Sequence, residues 1–444
     1  MELEWQETQL QRVTAFLNRG AAPAYIEAGG MLVLNQKCVR DHRVDFSSAR
    51  RTDSERKPVA PERHVRRWDI LVNSTGVGTL GRVAQVTQLP EQATVDSHVT
   101  IVRPDPNKVD PRFLGFVLCA SEPDVEALGE GSTGQTELSR VRLGSLSIQL
   151  PPLKEQEAIG SILANLSDKI ELNRQASATL NAITCALFDS WFVSFDPVRS
   201  KAVGEDTALP ANLAPLFPNR LVKTTLGFIP EGWAVEPLSE HIEVTKGVSY
   251  QGDGLGDQGI PLHNLNSIYE GGGYKYEGIK FYTEDYRPRH VVRPGDVIVA
   301  NTEQGHDRLL IGYAAIVPKL FGEFGIASHH IFRLTIKAGS PFRPAFLCAM
   351  LNSRRMHDVV SGYANGTTVN MLPEDGLKMT PAIVPPPGLI EAFDAVARNS
   401  EQRREEMVAE SRILAAMRDG LLPKLISGEL RVPNPETFLS RVRA

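Results

Sequence analysis

The chain has 444 residues, 42% of them hydrophobic, and a net charge of −5, which allows two or three domains with real cores but gives no chain-wide attraction for nucleic acid. Its four cysteines (Cys38, Cys119, Cys185, Cys348) form no C-x-x-C pair, which argues against a disulfide framework or a zinc site and suits a reducing, cytoplasmic setting. The N-terminus, Met1 to Leu10, lacks the apolar core of a signal peptide, and no apolar run reaches membrane-spanning length.

In chain order, the first half is written again in the second. Trp5 and Leu10 recur as Trp233 and Leu238, and Gly30 with Asn35 recurs as Gly259 with Asn264. The run Trp68 to Asn73 recurs as Gly295 to Ala300, and Asp96-Ser97-His98-Val99 is matched to Ala327-Ser328-His329-His330. Thr133 to Thr136 recurs as Asn365 to Thr368, and Leu150-Pro151-Pro152 as Val384-Pro385-Pro386. The offset grows from 228 at the tryptophans to 234 at Pro152, as small loop insertions produce.

Each copy opens with a region of Gly, Pro and short β-branched runs. Ile70 to Val72, Val83 to Val86 and Val99 to Val102 read as strands, repeated by Val297 to Val299 and Ala314 to Val317. Arg112 to Ser121 and Arg343 to Ser353 read as short helices. Each copy then closes with a long helix. After Pro151-Pro152, the positions Ile159, Leu163, Leu166, Ile170, Asn173, Ser177, Leu180, Thr184, Leu187 and Trp191 alternate steps of four and three, a heptad seam with polar interruptions. At 1.5 Å per residue such a helix is a rod of roughly 60 Å. After Pro386-Pro387-Gly388, the residues Phe393, Val396, Met407, Leu414 and Leu421 lie on a similar stripe. One such helix alone is equally well a core helix of its own domain; two, each ending a repeat, point to a helix pair, antiparallel if a two-fold axis relates the copies.

The expected fold class is therefore α+β and internally duplicated: two mixed globular domains joined by two long helices that form an antiparallel coiled coil. The expected boundaries are a first globular domain at 1–150, a long helix at 151–196, a return linker at 197–227, a second globular domain at 228–385, a second long helix at 386–430 and a tail at 431–444.

Signals for catalysis are weak. Gly76 to Gly81 spells G-x-G-x-x-G, the fingerprint of a dinucleotide site, but the strand pattern after it leaves no helix N-terminus for a pyrophosphate and favours a loop between strands. The matching loop, Asn301 to Arg308, drops most of the glycines. His98, His329 and His330 read as core or capping residues. No G-K-[ST], H-E-x-x-H or G-x-S-x-G motif occurs, nor an Asn/Asp-Pro-Pro-aromatic tetrapeptide of amino-methyltransferases, and no metal site is expected.

Signals for nucleic acid are local. Between Lys37 and Arg82 there are 11 Lys or Arg against 6 Asp or Glu. Arg50, Arg51, Lys57, Arg63 and Arg66 are candidate phosphate contacts, with a solvated charged loop as the alternative. Polar loop residues Ser74, Thr75, Thr79, Arg82 and Gln135 are candidate base readers, since hydroxyls, amides and guanidinium groups match base edges. The second copy offers an aromatic-basic set, Tyr250, Lys275, Tyr276 and Lys280, and the loop residues Asn301, Thr302, Gln304, Arg308 and Thr367.

These features together resemble the specificity subunit of Type I restriction–modification enzymes. The stretch Leu150-Pro151-Pro152-Leu153-Lys154-Glu155-Gln156, running through Asp168 to Arg174 to Leu187-Phe188-Asp189-Ser190-Trp191-Phe192-Val193-Ser194-Phe195-Asp196-Pro197, looks like that family's central helix. Gly227 to Trp233 looks like the start of its second target recognition domain, and Gly420 to Glu429 like the end of its distal helix. The resemblance implies a non-catalytic DNA-binding subunit. Each globular copy would be a target recognition domain reading half of a bipartite, asymmetric site in double-stranded DNA. The helices would set the spacer and dock two methyltransferase subunits, which bind S-adenosylmethionine in place of this chain. A restriction and translocation subunit could join, and no membrane partner is implied. The distal copy departs at Pro386 to Ile390, which lacks Leu-Lys-Glu-Gln, so the two ends need not meet a methyltransferase identically. A stand-alone, antirestriction-like DNA-binding protein of the same fold is the alternative; a small-molecule enzyme using Gly76 to Gly81 is a third reading.

Overall fold

The computed structural model describes residues 5–131, 136–305, 307–366 and 369–443. The chain divides into two units, Met1–Glu171 with Ser411–Ala444, and Leu172–Glu410.

The two units repeat one strand order. In the first, a sheet runs Thr14–Arg19, Val99–Pro104, Ile70–Asn73, Val83–Gln85; in the second, Ile242–Lys246, Ile331–Ile336, Val297–Ala300, Ala314–Ile316. A second sheet runs Ala93–Val95, Met31–Leu34, Arg50–Thr52, Tyr25–Ile26, and correspondingly Gly325–Ala327, Ile260–His263, Lys280–Tyr282, Leu255–Gly256, extended there by Val291–Val292. Both contain one parallel pair at the same place, Leu34 opposite Val95 and His263 opposite Ala327.

The central strand explains its own composition. Ile70 and Val72 pack against Phe113, Leu114 and Val117 of the helix Pro111–Ala120, while Leu71 turns to the other sheet. Val297 and Val299 face the helix side of the second unit and Ile298 and Ala300 the opposite core. A strand covered on both faces reads as a continuous apolar run, with no polar alternation. Both units also cross their sheets at a glycine that needs no unusual φ. A Cβ on Gly20 would lie 1.9 Å from the Val95 carbonyl oxygen, and one on Gly247 2.0 Å from that of Ala327.

The long helices are Leu153–Phe188 and Pro387–Ser427. Within the second unit they run antiparallel: Phe188 meets Phe393 at 5.3 Å between ring centroids, Arg404 Nε reaches Ser177 Oγ at 3.4 Å, and Asn173 Nδ2 donates to Glu410 Oε2 at 2.7 Å. Numbers rise along one helix as they fall along the other. The polar seam residue Asn173 thus has a partner on the facing helix, the arrangement that fixes register at some cost in stability. Within the first unit, Ile159 and Leu163 share a core with Leu421 and Leu425. Ile170 is buried, and Leu166, Leu180, Leu187, Met407, Leu414 and Leu421 are half-buried on the seam. Val396 is not on it: its side chain is 43% exposed and Ala397 is buried instead. A helix turns once in 3.6 residues, so the position facing the partner after Phe393 falls four residues on, not three.

Three ends differ from expectation. The first long helix closes through a π turn at Asp189–Val193, and Phe195 then adopts a left-handed conformation (φ 57°) before a short helix at Asp196–Ala202. An aromatic side chain there costs about 1–2 kcal/mol; Phe195 is held by burial against Trp233, 5.6 Å away. The stretch 197–227, expected as a linker, is packed structure. Val198 and Phe217 are fully buried, Lys201 Nζ donates to the Phe217 carbonyl at 2.6 Å, and Leu221–Thr224 pairs with Gly227–Pro230. Sparse apolar residues among prolines conceal this in the sequence. The tail also folds back: Arg431 forms a two-pronged pair with buried Glu155 at 2.6 and 2.8 Å, and Pro435–Arg443 is helical. The second long helix stops at Gly428, left-handed at φ 78° and packed on Trp5. Among the described residues, no single helix is long and apolar enough to cross a membrane.

Candidate nucleic-acid interface

One edge of each sheet pair gathers the loops that differ most. In the first unit Arg19 lies opposite Thr100 and Asn73 opposite Val99, so the ends of Thr14–Arg19 and Ile70–Asn73 meet the start of Val99–Pro104. The Asp96 amide donates to the Leu34 carbonyl, bringing the parallel pair to the same edge. In the second unit Lys246 lies opposite Phe332, Ala300 opposite Ile331, and the Ser328 amide donates to the His263 carbonyl.

A loop leaves this edge from each central strand. Ser74 N–H donates to His98 O at 2.8 Å and Gly81 N–H closes back on Asn73 O at 2.9 Å. Asn301 N–H donates to His330 O at 3.1 Å and Gly312 N–H closes on Ala300 O at 2.8 Å, a loop longer by four residues. These bonds set the true correspondence. His98 answers to His330, not to His329 as the sequence match suggested, because a one-residue shift precedes the strand. The side chains repeat the pairing: His98 Nδ1 lies 2.8 Å from Thr75 Oγ1, and His330 Nδ1 3.2 Å from Thr302 Oγ1. A second segment lies beside each loop, Thr75 bridging to Glu137 and Thr302–Gln304 pairing with Val369–Met371.

Inside, the loops are braced differently. The glycines at 76, 78 and 81 have φ of 104°, 70° and 85°, conformations that favour glycine, and Arg82 donates to the Gly78 carbonyl at 2.8 Å. The loop joins antiparallel strands and opens no helix, so a pyrophosphate would find no helix N-terminus. In the other loop the Glu303 carboxylate accepts amides from Leu309, Leu310 and Ile311 at 2.7, 3.2 and 3.0 Å.

The expected contact residues fall into three groups. Arg50, Thr75, Thr79 and Arg82 in the first unit, and Lys280, Gln304 and Arg308 in the second, belong to this edge. Arg50 and Lys280 hold matching register positions, opposite Val33 and Leu262, and Arg50 stacks on Tyr25 at 3.5 Å. Gln304 and Arg308 are exposed, Arg308 at φ 53°.

Others are structural, which corrects the expectation for them. Ser74, Asn301, Thr302 and Tyr276 are buried. Ser74 bonds Thr100, Asn301 donates to the His329 carbonyl, Thr302 donates to Asn301, and Tyr276 packs on Tyr274 and Phe321. Small polar groups at a strand end satisfy the chain's own backbone as readily as a base edge. Tyr250 is half-buried beside His329, and Lys275 lies half-buried with its Nζ 5.9 Å from the Tyr269 ring.

The third group is elsewhere. Arg51 is engaged by both oxygens of Glu91 at 3.1 and 2.7 Å. Arg63 and Arg66 precede Asp69, at the opposite end of Ile70–Asn73 from the loop, and Lys57 sits in a turn bonded to Asp53 after Thr52, which faces Met31. The basic run is therefore not one patch. Gln135 and Thr367 lie outside the described residues.

Sequence reasoning missed Gln36, whose Nε2 donates to both Thr75 O and Thr75 Oγ1 at 2.7 and 2.6 Å, and the pairing of each threonine with a histidine. The signal available was the recurrence of Thr75 and His98 as Thr302 and His330. Among the described residues, no cluster of three His, Cys, Asp or Glu side chains is placed to hold a metal ion.

Residues 64–182, which include the loop between Asn73 and Gly81, match the family model of the Type I restriction modification DNA specificity domain. The HindI specificity subunit of a Type I restriction enzyme of Haemophilus influenzae is 30% identical over 206 residues, 45% of this chain and 43% of that protein. The MjaIX specificity subunit of Methanocaldococcus jannaschii is 23% identical over 314 residues, 69% of this chain and 66% of that one. The match thus spans less than half the length of the first relative and about two thirds of the second. The fold is similar to the solved S subunit of a Type I restriction-modification system from M. genitalium, with a TM-score of 0.56 at 15% identity over 96% of both chains. The chain is thus α+β and internally duplicated, similar in sequence to Type I restriction enzyme specificity subunits and in fold to a solved one, with residues 64–182 matching their DNA specificity domain.

Proposed function

We propose that this chain is the DNA-recognition subunit of a Type I restriction–modification complex. Each unit reads one half of a bipartite, asymmetric site in duplex DNA, and the chain itself makes and breaks no bonds. The observation that carries this reading is the repetition of one strand order and one Thr–His frame under two unlike loops. Two equal scaffolds with different readers suit a site whose halves differ.

The long helices would set the distance between the half-sites. At 1.5 Å per residue, helices Leu153–Phe188 and Pro387–Ser427 measure about 54 and 62 Å, or one to two turns of duplex at about 34 Å each. Two methyltransferase subunits would dock on them and bring S-adenosylmethionine, with a restriction subunit as a further partner, in the cytoplasm. The Lys154-Glu155-Gln156 run bears on that docking. Glu155 and Gln156 are turned inward, Glu155 to Arg431 and Gln156 to the Asp110 amide at 3.0 Å, and Lys154 is exposed. Loss of this run in the distal copy therefore changes internal ties more than the outer surface.

The test is recovery of the tagged chain from its source cell with a map of methylated bases there. A methyltransferase at two copies per chain and an asymmetric two-part motif support the reading. Purification without any methyltransferase, together with tight sequence-specific binding by the bare chain at physiological salt, would favour the stand-alone alternative.

A further inference from the structure

His98 and His330 hold the same place in the two units, and the hydrogen bonds around them run in opposite directions. In the first unit, the Gln36 amide faces the Thr75 carbonyl oxygen at 2.7 Å, so nitrogen is the atom presented there. The same nitrogen donates to Thr75 Oγ1 at 2.6 Å. Thr75 has one hydroxyl proton, and among the described residues the acceptor in reach is His98 Nδ1 at 2.8 Å. An imidazole that accepts at Nδ1 carries its proton on Nε2. His98 is exposed, so its ring offers an N–H donor at the mouth of the loop.

In the second unit, Asn301 Nδ2 donates to the His329 carbonyl at 3.1 Å, which fixes Oδ1 as the atom facing Thr302. Thr302 gives its proton to that Oδ1 at 2.7 Å. Only oxygen lone pairs then remain for His330 Nδ1, 3.2 Å away, so the ring donates there and its Nε2 is bare. Burial, with His329 and Lys246 alongside, lowers the His330 pKa.

We infer, on the reading that these loops face duplex DNA, that His98 and His330 are specificity-determining residues of opposite polarity. His98 Nε2–H donates to a base acceptor, such as guanine O6 or N7 or thymine O4. His330 Nε2 accepts from an exocyclic amine, adenine N6 or cytosine N4. The major groove presents both kinds of group, and one such bond changes preference between bases by about 3- to 10-fold.

The experiment has two arms, both on the full chain. The first labels histidine with nitrogen-15 and reads the ring tautomers by NMR, with no DNA present. The account expects His98 protonated on Nε2 and His330 on Nδ1, and Thr75→Val and Thr302→Val, near-isosteric, to release each preference. The same tautomer at both sites overturns the inference. The second arm selects from a pool of random-sequence duplex, using the chain with whatever partners co-purify. His98→Ala should relax one position in one half-site by about 3- to 10-fold, and His330→Ala one position in the other. An unchanged motif in both variants, with folding intact by circular dichroism, overturns the specificity role. A uniform loss across all sequences does the same, because it marks a phosphate contact. If the unaltered chain selects no two-part motif, the proposed function itself fails, whatever the tautomers.

Discussion

The two units solve one problem with the same parts held by opposite partners. In the first, Asp110 caps its own helix, Pro111–Ala120, accepting the amides of Arg112 and Phe113 at 3.0 and 2.9 Å, and the long helix has Gly160 beside it. A Cβ there would stand 2.6 Å from the Asp110 carboxylate. In the second, the capping position is Arg343 and the carboxylate comes from the long helix, Asp394 accepting the Ala345 amide at 2.9 Å. The helix N-terminus needs a carboxylate; which element supplies it is free. Scaffold chemistry is thus kept while residues change sides. At the opposite edge the loops between Asn73 and Gly81, and between Ala300 and Gly312, share their anchoring bonds and the Thr–His pairing but differ in length and internal bracing.

The largest expected break in this comparison is at the shared crossings. Gly20→Ala and Gly247→Ala each push a Cβ to within 2.0 Å of a carbonyl oxygen and should destabilise their own unit by about 2–4 kcal/mol. Segment-resolved hydrogen exchange would report which unit opens. An equal effect on both units from one substitution would contradict their independence.

Acid should also tell the units apart. His263 is buried in the second unit, bonded to Tyr274 Oη at 2.7 Å, with its pKa lowered to about 4 by burial; the matching residue of the first unit is Leu34. A base held neutral when folded but protonated when unfolded favours unfolding below its ordinary pKa. Stability of the second unit should therefore fall as pH drops from about 6.5 to 4, by about 3 kcal/mol at the lower end. His263→Leu should remove the His263 share of that slope, read by denaturant melts across pH.

Exchanging the caps gives a smaller effect. Asp394→Ala should cost about 1 kcal/mol through loss of the cap, and Gly160→Ala about 1–3 kcal/mol through crowding of Asp110. The smallest contrast is on the seam. Val396→Asp should change stability by less than about 0.5 kcal/mol, while Ala397→Asp, buried against the aromatic core, should cost several times that.

Much of the scaffold was legible because it is written twice. The central strands carry unbroken apolar runs, the helices at 111–120 and 344–352 and the long helices carry apolar stretches of helical length, and recurrence gives their order. The site was less legible. Ser74 and Asn301 look like base readers because the chemistry that bonds a base also bonds a neighbouring strand, and only the fold decides. The histidine pairing was hidden by a one-residue shift that makes His329 the apparent match of His98. Phe217 and Val198 read as linker because isolated apolar residues between prolines carry no period.

The proposed function requires the two units to read separately. The most direct test replaces residues 1–150 with the corresponding domain of a Type I specificity subunit and maps methylated bases in cells carrying the chimera and the methyltransferase that the proposed function requires. One half of the motif should change, with the other half and the spacer untouched; a change in both halves, or in neither, would contradict the account.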